Sequence, residues 1–246
     1  MNLILLDSPA PIGEFPREDR RYSHLRKILR VARGTSLRAG VVNGPVGILE
    51  ILEISEQSIQ YRFAPLQDPI PPYPIEVILG AMRPIVARRL LKDLTALGIQ
   101  GIRLVKADLS EGSYLQSSLW QRKEYERSLR EGAEQGCTTI LPAVHLHPDL
   151  NHCLSTLPQG GRNLLMDPEA PRSFFSLQRE WDSIGTNHPV HRVAIGPERG
   201  WTERERNRFL EKGFTPCKLG ERILRTEAAA LIAVGILISH MEALQE

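Results

Sequence analysis

Cysteine is scarce in this sequence, and long apolar runs are missing. Cys137, Cys153 and Cys217 are too few and too scattered for a disulfide framework or a four-thiolate zinc site, so we expect reduced thiols. The N-terminus has no basic segment before its short apolar stretch, which argues against a signal peptide. No run reaches about 18 uninterrupted apolar residues, the length of a membrane helix. These absences favour a cytoplasmic protein without a membrane span.

Two common nucleotide-binding motifs are also missing. No G-x-G-x-x-G follows the first strand predicted in the alternating part of the chain, and no G-x-x-x-x-G-K-[ST] occurs. The sequence therefore disfavours a conventional Rossmann dinucleotide site and a phosphate-binding P-loop.

Positive charge is unevenly distributed although the formal net charge is only +2. Residues 16–38 hold eight basic side chains and two acidic ones, and residues 83–106 hold six basic side chains and one acidic one. Two basic segments on a nearly neutral protein indicate a polyanionic partner, whereas the alternative interpretation is ordinary solvated helix faces.

A proline-rich segment, Gln67–Pro74, divides the chain into two predicted domains. Over residues 1–68, short strands, a hairpin signal at Asn43-Gly44 and one helix over 23–31 predict a small β-barrel-like domain. Over residues 74–246, apolar strands alternate with helices, which predicts an α/β fold with a mainly parallel sheet. The helices predicted there include a long charged one over 114–135 and a final one over 227–244.

Two glycine-containing loops follow apolar strands near the C-terminus. The first is Gly196-Pro197-Glu198-Arg199-Gly200, followed by a helix that Thr202 and Glu205 open with capping-box spacing. The second begins at Leu219-Gly220 and continues into RILRTE and a long apolar helix. Ligands in open α/β sheets bind outside the carboxyl ends of strands, so these loops predict a binding site.

The paired stretches IGPERGW and LGERILRTEAA resemble the signature of the RsmE-type methyltransferases of the SPOUT superfamily. That family methylates N3 of a uridine in 16S ribosomal RNA. Weaker matches extend the resemblance along the chain: RYSHLRKILR at 21–30, LTALG at 94–98 and EGAEQ at 131–135.

The resemblance implies a PUA-like N-terminal RNA-binding domain and a C-terminal SPOUT α/β domain with a deep trefoil knot. It further implies a homodimer that acts on 16S rRNA or the small ribosomal subunit, with S-adenosylmethionine bound in the knot. By resemblance, the cofactor-binding residues are Met166, Asp167, Pro168, Ile195, Gly196, Pro197, Glu198, Gly200, Trp201, Leu219, Gly220, Arg222, Ile223 and Leu224.

Methylation of an imide nitrogen needs alignment, a proton acceptor and stabilisation of negative charge, and it needs no metal. We expect Glu198 or Glu227 to accept or orient the proton, and Arg225 or Arg222 to stabilise charge. For Glu227 the alternative is a first-turn carboxylate that favours the helix dipole. The residues predicted to bind RNA are Arg21, Arg26, Lys27, Arg30, Arg83, Arg88 and Arg89.

Three positions depart from the family pattern: Ala96, Arg199 and Ala228 stand where glutamate, glycine and threonine are usual. They leave open a SPOUT enzyme acting on a ribose 2′-hydroxyl or another base, and a non-catalytic RNA-binding module. His145, His147 and His152 are spaced for metal binding, but no well-placed carboxylate or thiolate completes the set, so we expect no metal site.

Overall fold

The computed structural model describes residues 2–181 and 190–243 and divides the chain into two compact units. The first unit comprises Met1–Pro71 with Leu129–Leu141, and the second comprises Pro72–Ser128 with Pro142–Glu246. The unit boundary at Pro71/Pro72 lies inside the proline-rich segment. The assignment of 129–141 to the first unit is a tertiary feature that the sequence pattern does not predict.

The first unit is built on a five-stranded mixed sheet whose spatial order is β1-β3-β4-β5-β2. Its strands are β1 (Ile4–Leu6), β2 (Ile12–Pro16), β3 (Ser36–Val41), β4 (Val46–Ile54) and β5 (Ser58–Gln67). Strands β3 and β4 form the predicted antiparallel hairpin, and Asn43 adopts a positive φ of 55° in its turn. Register shifts along β4 curl the sheet around a core that contains Phe15, Leu49 and Phe63.

The helical segment between β2 and β3 differs from the predicted helix over 23–31. Helix α1 (Arg20–Ser23) begins earlier because Asp19 caps it by accepting the backbone N–H of Arg21. A π-helical turn, His24–Ile28, follows, and the segment ends before Arg30, whose φ is 49°. The prediction of one α-helix through Val31 was therefore wrong.

The second unit contains a six-stranded parallel sheet with the spatial order β11-β9-β10-β6-β7-β8. Its strands are β6 (Tyr73–Gly80), β7 (Ile99–Val105), β8 (Ala143–His147), β9 (Arg162–Met166), β10 (His191–Ile195) and β11 (Thr215–Cys217). The central strands β6, β7 and β10 are buried along most of their length, as their near-continuous apolar sequences require.

Seven further helices are described beyond the first unit's α1. They are α2 (Pro84–Ala96), α3 (Ser118–Gln121), α4 (Tyr125–Gly136), α5 (Leu150–Ser155), α6 (Phe174–Trp181), α7 (Glu203–Glu211) and α8 (Thr226–Ala243). The long helix predicted over 114–135 was wrong, because Lys123 adopts a φ of 54° that interrupts the helix between α3 and α4. Leu244, the predicted end of the final helix, lies outside the described residues.

Helix α8 has the length and mean hydropathy, 1.3, of a membrane span. Within the described ranges it is the one helix that meets this test, although no uninterrupted apolar run predicts it. It packs against β6, β10 and α2, and 39% of its 18 residues are buried inside the protein. These contacts account for the part of its apolar surface that faces the sheet and α2.

One carboxylate and two guanidinium groups lie buried among neighbouring strands of the parallel sheet. Glu76 on β6 accepts hydrogen bonds from Arg192 on β10 at 3.1 Å and from Arg103 on β7 at 3.1 and 3.3 Å. Burial raises the pKa of Glu76, but the hydrogen bonds and charges of the two arginines outweigh this effect and hold it below its usual value. The carboxylate is therefore ionised and links three strands.

The strand order creates a reversal between β9, β10 and β6. The chain leaves β8 at one edge, resumes at β9 on the other side, and then inserts β10 between β9 and β6. Loops from the carboxyl ends of β6, β9, β10 and β11 therefore emerge side by side, where open α/β sheets bind ligands.

Candidate functional site

The loops that follow β6, β9, β10 and β11 line one cavity of about 850 Å³. This volume lies within the usual range for small-molecule and cofactor sites. All of its lining residues belong to the second unit.

The loop after β10 makes a tight turn that two glycines permit. The Gly200 N–H donates to the carbonyl oxygen of Pro197 at 2.8 Å, and Gly200 has a positive φ of 73°. A Cβ at Gly196 would lie 2.9 Å from the backbone of Gly200, so only glycine fits there without movement. Gly80, at the end of β6, similarly leaves room for the ring of Pro197.

A buried glutamate fixes the end of this loop to the loop after β7. Glu205 accepts the backbone N–H of Thr202 at 2.9 Å and that of Asp108 at 2.9 Å. The Thr202 side chain in turn caps α7, completing the predicted capping box. The capping box therefore serves the site as well as the helix, because it holds two loops together.

The loop after β11 is held at both ends and open in its middle. The Lys218 N–H donates to the carbonyl oxygen of Arg172 at 2.9 Å. The carbonyl oxygen of Lys218 accepts from the backbone N–H of Phe174, also at 2.9 Å. At the other end, the Thr226 hydroxyl donates to the carbonyl oxygen of Gly196 at 3.0 Å. A Cβ added at Gly220 would meet no protein atom within 4 Å, so the protein itself does not require glycine there.

Charged side chains of both signs surround the cavity. Glu198 accepts the backbone N–H of Arg83 at 3.2 Å. A side-chain hydrogen bond with Tyr114 and the charge of Glu198 raise the pKa of Arg83. Arg206 lies 3.9 Å from Asp167 and 3.5 Å from Glu169, which places a cation beside the loop after β9.

Cys217 lines the cavity but is buried, and this burial raises its pKa to about 12. Its thiol is therefore protonated at neutral pH and is a poor nucleophile. The geometry supports binding and alignment of a ligand rather than covalent catalysis by cysteine.

The family described as "RNA methyltransferase domain" matches residues 69–238. Ribosomal RNA small subunit methyltransferase E of Treponema pallidum is 30% identical over 250 residues, covering 99% of this chain and 92% of the relative. The chain belongs to the RsmE-type RNA methyltransferase family of the SPOUT superfamily. This confirms the resemblance seen in the sequence.

Two further comparisons extend over the whole chain. Ribosomal RNA small subunit methyltransferase E 1 of Borreliella burgdorferi is 27% identical and covers 98% of this chain and 99% of its own. The crystal structure of ribosomal RNA small subunit methyltransferase E from Neisseria gonorrhoeae, bound to S-adenosyl methionine, has a TM-score of 0.78. It is 22% identical and covers 97% of each chain, so it shares the fold.

The structure brings together every residue that the RsmE resemblance assigns to cofactor binding. All of them line the cavity, as do the three predicted catalytic residues, Glu198, Arg225 and Glu227. Arg199, which the sequence already placed in the first glycine loop, also lines the cavity. The lining residues that the sequence did not assign to the site are Val86, Glu169, Arg206, Cys217, Lys218, Thr226 and Ala229. Glu169 could have been predicted from the sequence, because it directly follows Asp167-Pro168. Arg206 could not, because only the tertiary fold brings α7 to the cavity.

The residues predicted to bind RNA fall in different environments. Arg26, Lys27 and Arg30 are exposed in the first unit, and Arg89 is exposed on α2. Arg83 lines the cavity, and Arg88 donates to Glu124 at 2.6 Å.

Arg21 does not fit the role of a free phosphate ligand. Its guanidinium donates to Asp19 at 2.6 Å, to Asp7 at 3.2 Å and to the carbonyl oxygen of Leu5 at 2.7 Å. These partners use its donors and neutralise its charge, so we remove Arg21 from the RNA-binding set.

The histidine cluster pairs two of its three rings. Nδ1 of His147 lies 3.0 Å from Nδ1 of His152, and His145 is exposed beside them. Burial, with the charge of Arg103 as the next cause, lowers the pKa of His147 to about 4. In the part of the chain that the structure describes, no three histidine, cysteine or acidic side chains are grouped to hold a metal ion.

Proposed function

We propose that this protein is an S-adenosylmethionine-dependent methyltransferase that modifies N3 of a uridine in the 16S RNA of the small ribosomal subunit. The observation that carries the proposal is the cavity in which the two glycine loops and RILRTE meet. Its support from the comparisons is a family relationship across almost the full length of the chain.

The cavity has the features that an adenosine-containing cofactor requires. The loops Gly196–Trp201 and Leu219–Leu224 would hold its adenosine through backbone groups, and the open space at Gly220 allows close approach. Asp167 lines the same cavity and supplies carboxylate oxygens for hydroxyl or amino groups. When bound, S-adenosylmethionine supplies an electrophilic methyl group.

The protein's own contribution is a proton acceptor and a cation at the target base. N3 of uridine carries a proton that must leave as nitrogen becomes the nucleophile. We assign Glu198 as the group that accepts or orients this proton, and the backbone N–H of Arg83 holds Glu198 in place. Glu227 is the alternative acceptor. Arg225 or Arg222, both exposed at the cavity, stabilises the negative charge that develops on the base.

The finer architecture follows the family. We propose a PUA-like barrel for residues 1–68 and a SPOUT domain with a trefoil knot for residues 74–246. Lys218 in the loop after β11 donates to the carbonyl oxygen of Arg172 and accepts from the N–H of Phe174, and Thr226 donates to Gly196. Such contacts are consistent with the interlaced loops of a knot. RNA phosphates would bind to the exposed cations Arg26, Lys27, Arg30, Arg83, Arg88 and Arg89.

We further propose a cytoplasmic homodimer. Ile85 on α2 and Ile232 on α8 are exposed apolar side chains on two helices that contact each other. A second copy that covers this face would remove their apolar surface from water. Sedimentation analysis tests the dimer independently of activity.

The decisive experiment is methylation of purified small subunits and of free 16S RNA with isotopically labelled S-adenosylmethionine, followed by nucleoside mass spectrometry. We expect labelled N3-methyluridine. Labelled 2′-O-methylnucleosides or another methylated base would identify a SPOUT enzyme with a different target. Cofactor binding without transfer to either RNA would favour the non-catalytic RNA-binding module.

A further inference from the structure

Two large aliphatic side chains project from the first unit at its π-helical turn. Ile28 is 69% exposed and Leu29 is 42% exposed, whereas Leu25, one turn earlier, is fully buried in the core. We call residues 26–30 the knuckle surface. Exposed aliphatic side chains of this size next to each other require an explanation, because single ones are common but adjacent ones favour contact with a partner.

The π-helical turn is the reason that these side chains face outward. In a regular α-helix, Tyr22, Leu25, Ile28 and Leu29 would share one face and would all be directed to the core. The Leu29 N–H instead donates to the carbonyl oxygen of His24, five residues back, which widens the turn and changes the phase of the residues after it. Such turns occur frequently at functional sites.

Cations surround the aliphatic pair. Arg26, Lys27 and Arg30 all belong to the knuckle surface and are exposed, and residues 20–49 contain no acidic side chain. An acidic residue close to this segment is the exposed Glu56, whose backbone carbonyl oxygen accepts from the Tyr22 hydroxyl at 3.2 Å. Arg26 is held in place by hydrogen bonds to the Tyr22 hydroxyl and to the carbonyl oxygen of Ser55. Arg30 adopts a left-handed φ of 49°, a conformation that costs free energy for arginine.

We propose that the knuckle surface binds an unpaired RNA nucleotide, with Ile28 and Leu29 packed against its base and the cations on the flanking phosphates. Double-stranded RNA presents phosphates and 2′-hydroxyls but buries its base faces, so it gives apolar side chains nothing to contact. An unstacked base exposes an apolar face that aliphatic side chains can cover, and its flanking phosphates can bind cations. The positive charge of the surface favours a polyanion over a second copy of this chain. This inference rests on the proposed function, in that RNA is the substrate, and specifies which form of RNA this surface recognises.

The test compares two RNA probes on the full-length protein. A fluorescently labelled 12-nucleotide oligouridylate and a 12-base-pair RNA duplex are titrated by anisotropy at several potassium chloride concentrations. The variant is Ile28→Ser with Leu29→Ser, and the matched control is Leu66→Ser, whose side chain is also 69% exposed in the first unit. A third variant, Lys27→Ala, removes charge and leaves the aliphatic pair.

We expect the double serine variant to bind oligouridylate about tenfold more weakly, because apolar contact with the base is lost, while duplex binding and the salt dependence stay unchanged. Lys27→Ala is expected to lower the affinity for both probes and to make that affinity depend less steeply on salt concentration. Unchanged oligouridylate affinity, an equal loss for both probes, or a change in oligomeric state would overturn the inference. A single Ile28→Asn variant covers the case in which the double variant does not fold.

Calorimetric titration with S-adenosylmethionine, done on the same variants, separates this inference from the proposed function. If a variant binds S-adenosylmethionine normally but no longer prefers oligouridylate to the duplex, the result bears on the knuckle surface and leaves the proposed function unaffected. Absence of cofactor binding in the wild-type protein would instead count against the proposed methyltransferase.

Discussion

The backbone N–H of Arg83 donates a hydrogen bond to Oε1 of Glu198, with 3.2 Å between nitrogen and oxygen. This contact joins the loop after β6 to the loop after β10 and fixes one oxygen of the carboxylate. Among the described residues, no protein group donates a hydrogen bond to the other oxygen, Oε2. Glu198 is therefore positioned at the cavity with an acceptor available.

The substitution Glu198→Gln tests whether this acceptor takes part in methyl transfer. The amide oxygen of glutamine can still accept from Arg83, so the loop should persist while the proton acceptor is lost. We expect kcat to fall by about 10²- to 10⁴-fold with little change in cofactor affinity. Single-turnover methylation and calorimetry measure the two quantities separately.

Glu227→Gln is the matched variant, since this carboxylate lies in the first turn of α8 at the same cavity. If Glu227 only favours the helix dipole, the variant loses about 0.3–1 kcal/mol of stability and retains its rate. A large rate loss in Glu227→Gln with a normal rate in Glu198→Gln would reverse our assignment.

Gly220→Val tests whether a ligand occupies the space beside the loop after β11. Because a Cβ at this position meets no protein atom within 4 Å, the variant should fold with an unchanged Tm. A clash with bound ligand of about 1–3 kcal/mol would weaken cofactor binding about 5- to 150-fold. Gly112→Val, where the added atom also meets open space, is the control and should bind normally. Equal affinities in the two variants would remove Gly220 from the binding site.

Replacing Glu76 by glutamine should destabilise the parallel sheet strongly. The change leaves the guanidinium groups of Arg103 and Arg192 buried without their counter-ion, at a cost of about 3–5 kcal/mol. Glu211→Gln, which removes an exposed ion pair with Arg208, should cost at most about 1 kcal/mol. Urea unfolding of the two variants gives the comparison, and equal losses would contradict the importance of the buried group.

Acid should destabilise the folded protein in part through His147. Its pKa is about 4 in the folded protein, below the ordinary 6.5, so protonation favours the unfolded chain. Above pH 6.5 the imidazole of His147 is neutral in both states and does not disfavour folding. As the pH falls from 6.5 towards 4, the unfolded chain binds a proton that the folded protein does not, so the free energy of unfolding falls, by about 2 kcal/mol between pH 7 and pH 5. We expect His147→Asn to show a smaller loss over this interval in urea unfolding. The exposed His145 on the same strand provides the control, His145→Asn.

Arg30→Gly should separate stability from RNA binding. Glycine adopts the left-handed conformation without strain, so the variant is expected to gain up to about 1 kcal/mol of folding free energy. It also removes a cation from the knuckle surface and should reduce the salt dependence of RNA binding. Arg33→Gly, at a position without positive φ, is the control and should not gain stability. A destabilised Arg30→Gly would show that its backbone is not strained.

Local patterns in the sequence were sufficient for much of the fold and the candidate site. The β3–β4 hairpin, the first-turn proline of α2 and the capping box of α7 depend on neighbours within a few residues, so their signals survive in the sequence. The glycine loops could be placed at strand ends because each directly follows an apolar run. Their distinctive motifs were sufficient to predict residues that line the cavity.

Interactions between distant residues decided the rest. Helical periodicity gives no sign of the break at Lys123 or of the π-helical turn before Arg30. Whether a cation is free also depends on its neighbours in space: Asp7 and Asp19 engage Arg21, while Lys27 remains exposed. Sequence alone determined which residues form the loops of the site. Only the tertiary structure, by inserting β10 between β9 and β6, brought those loops to one cavity, because strand order is set by contacts across the whole chain.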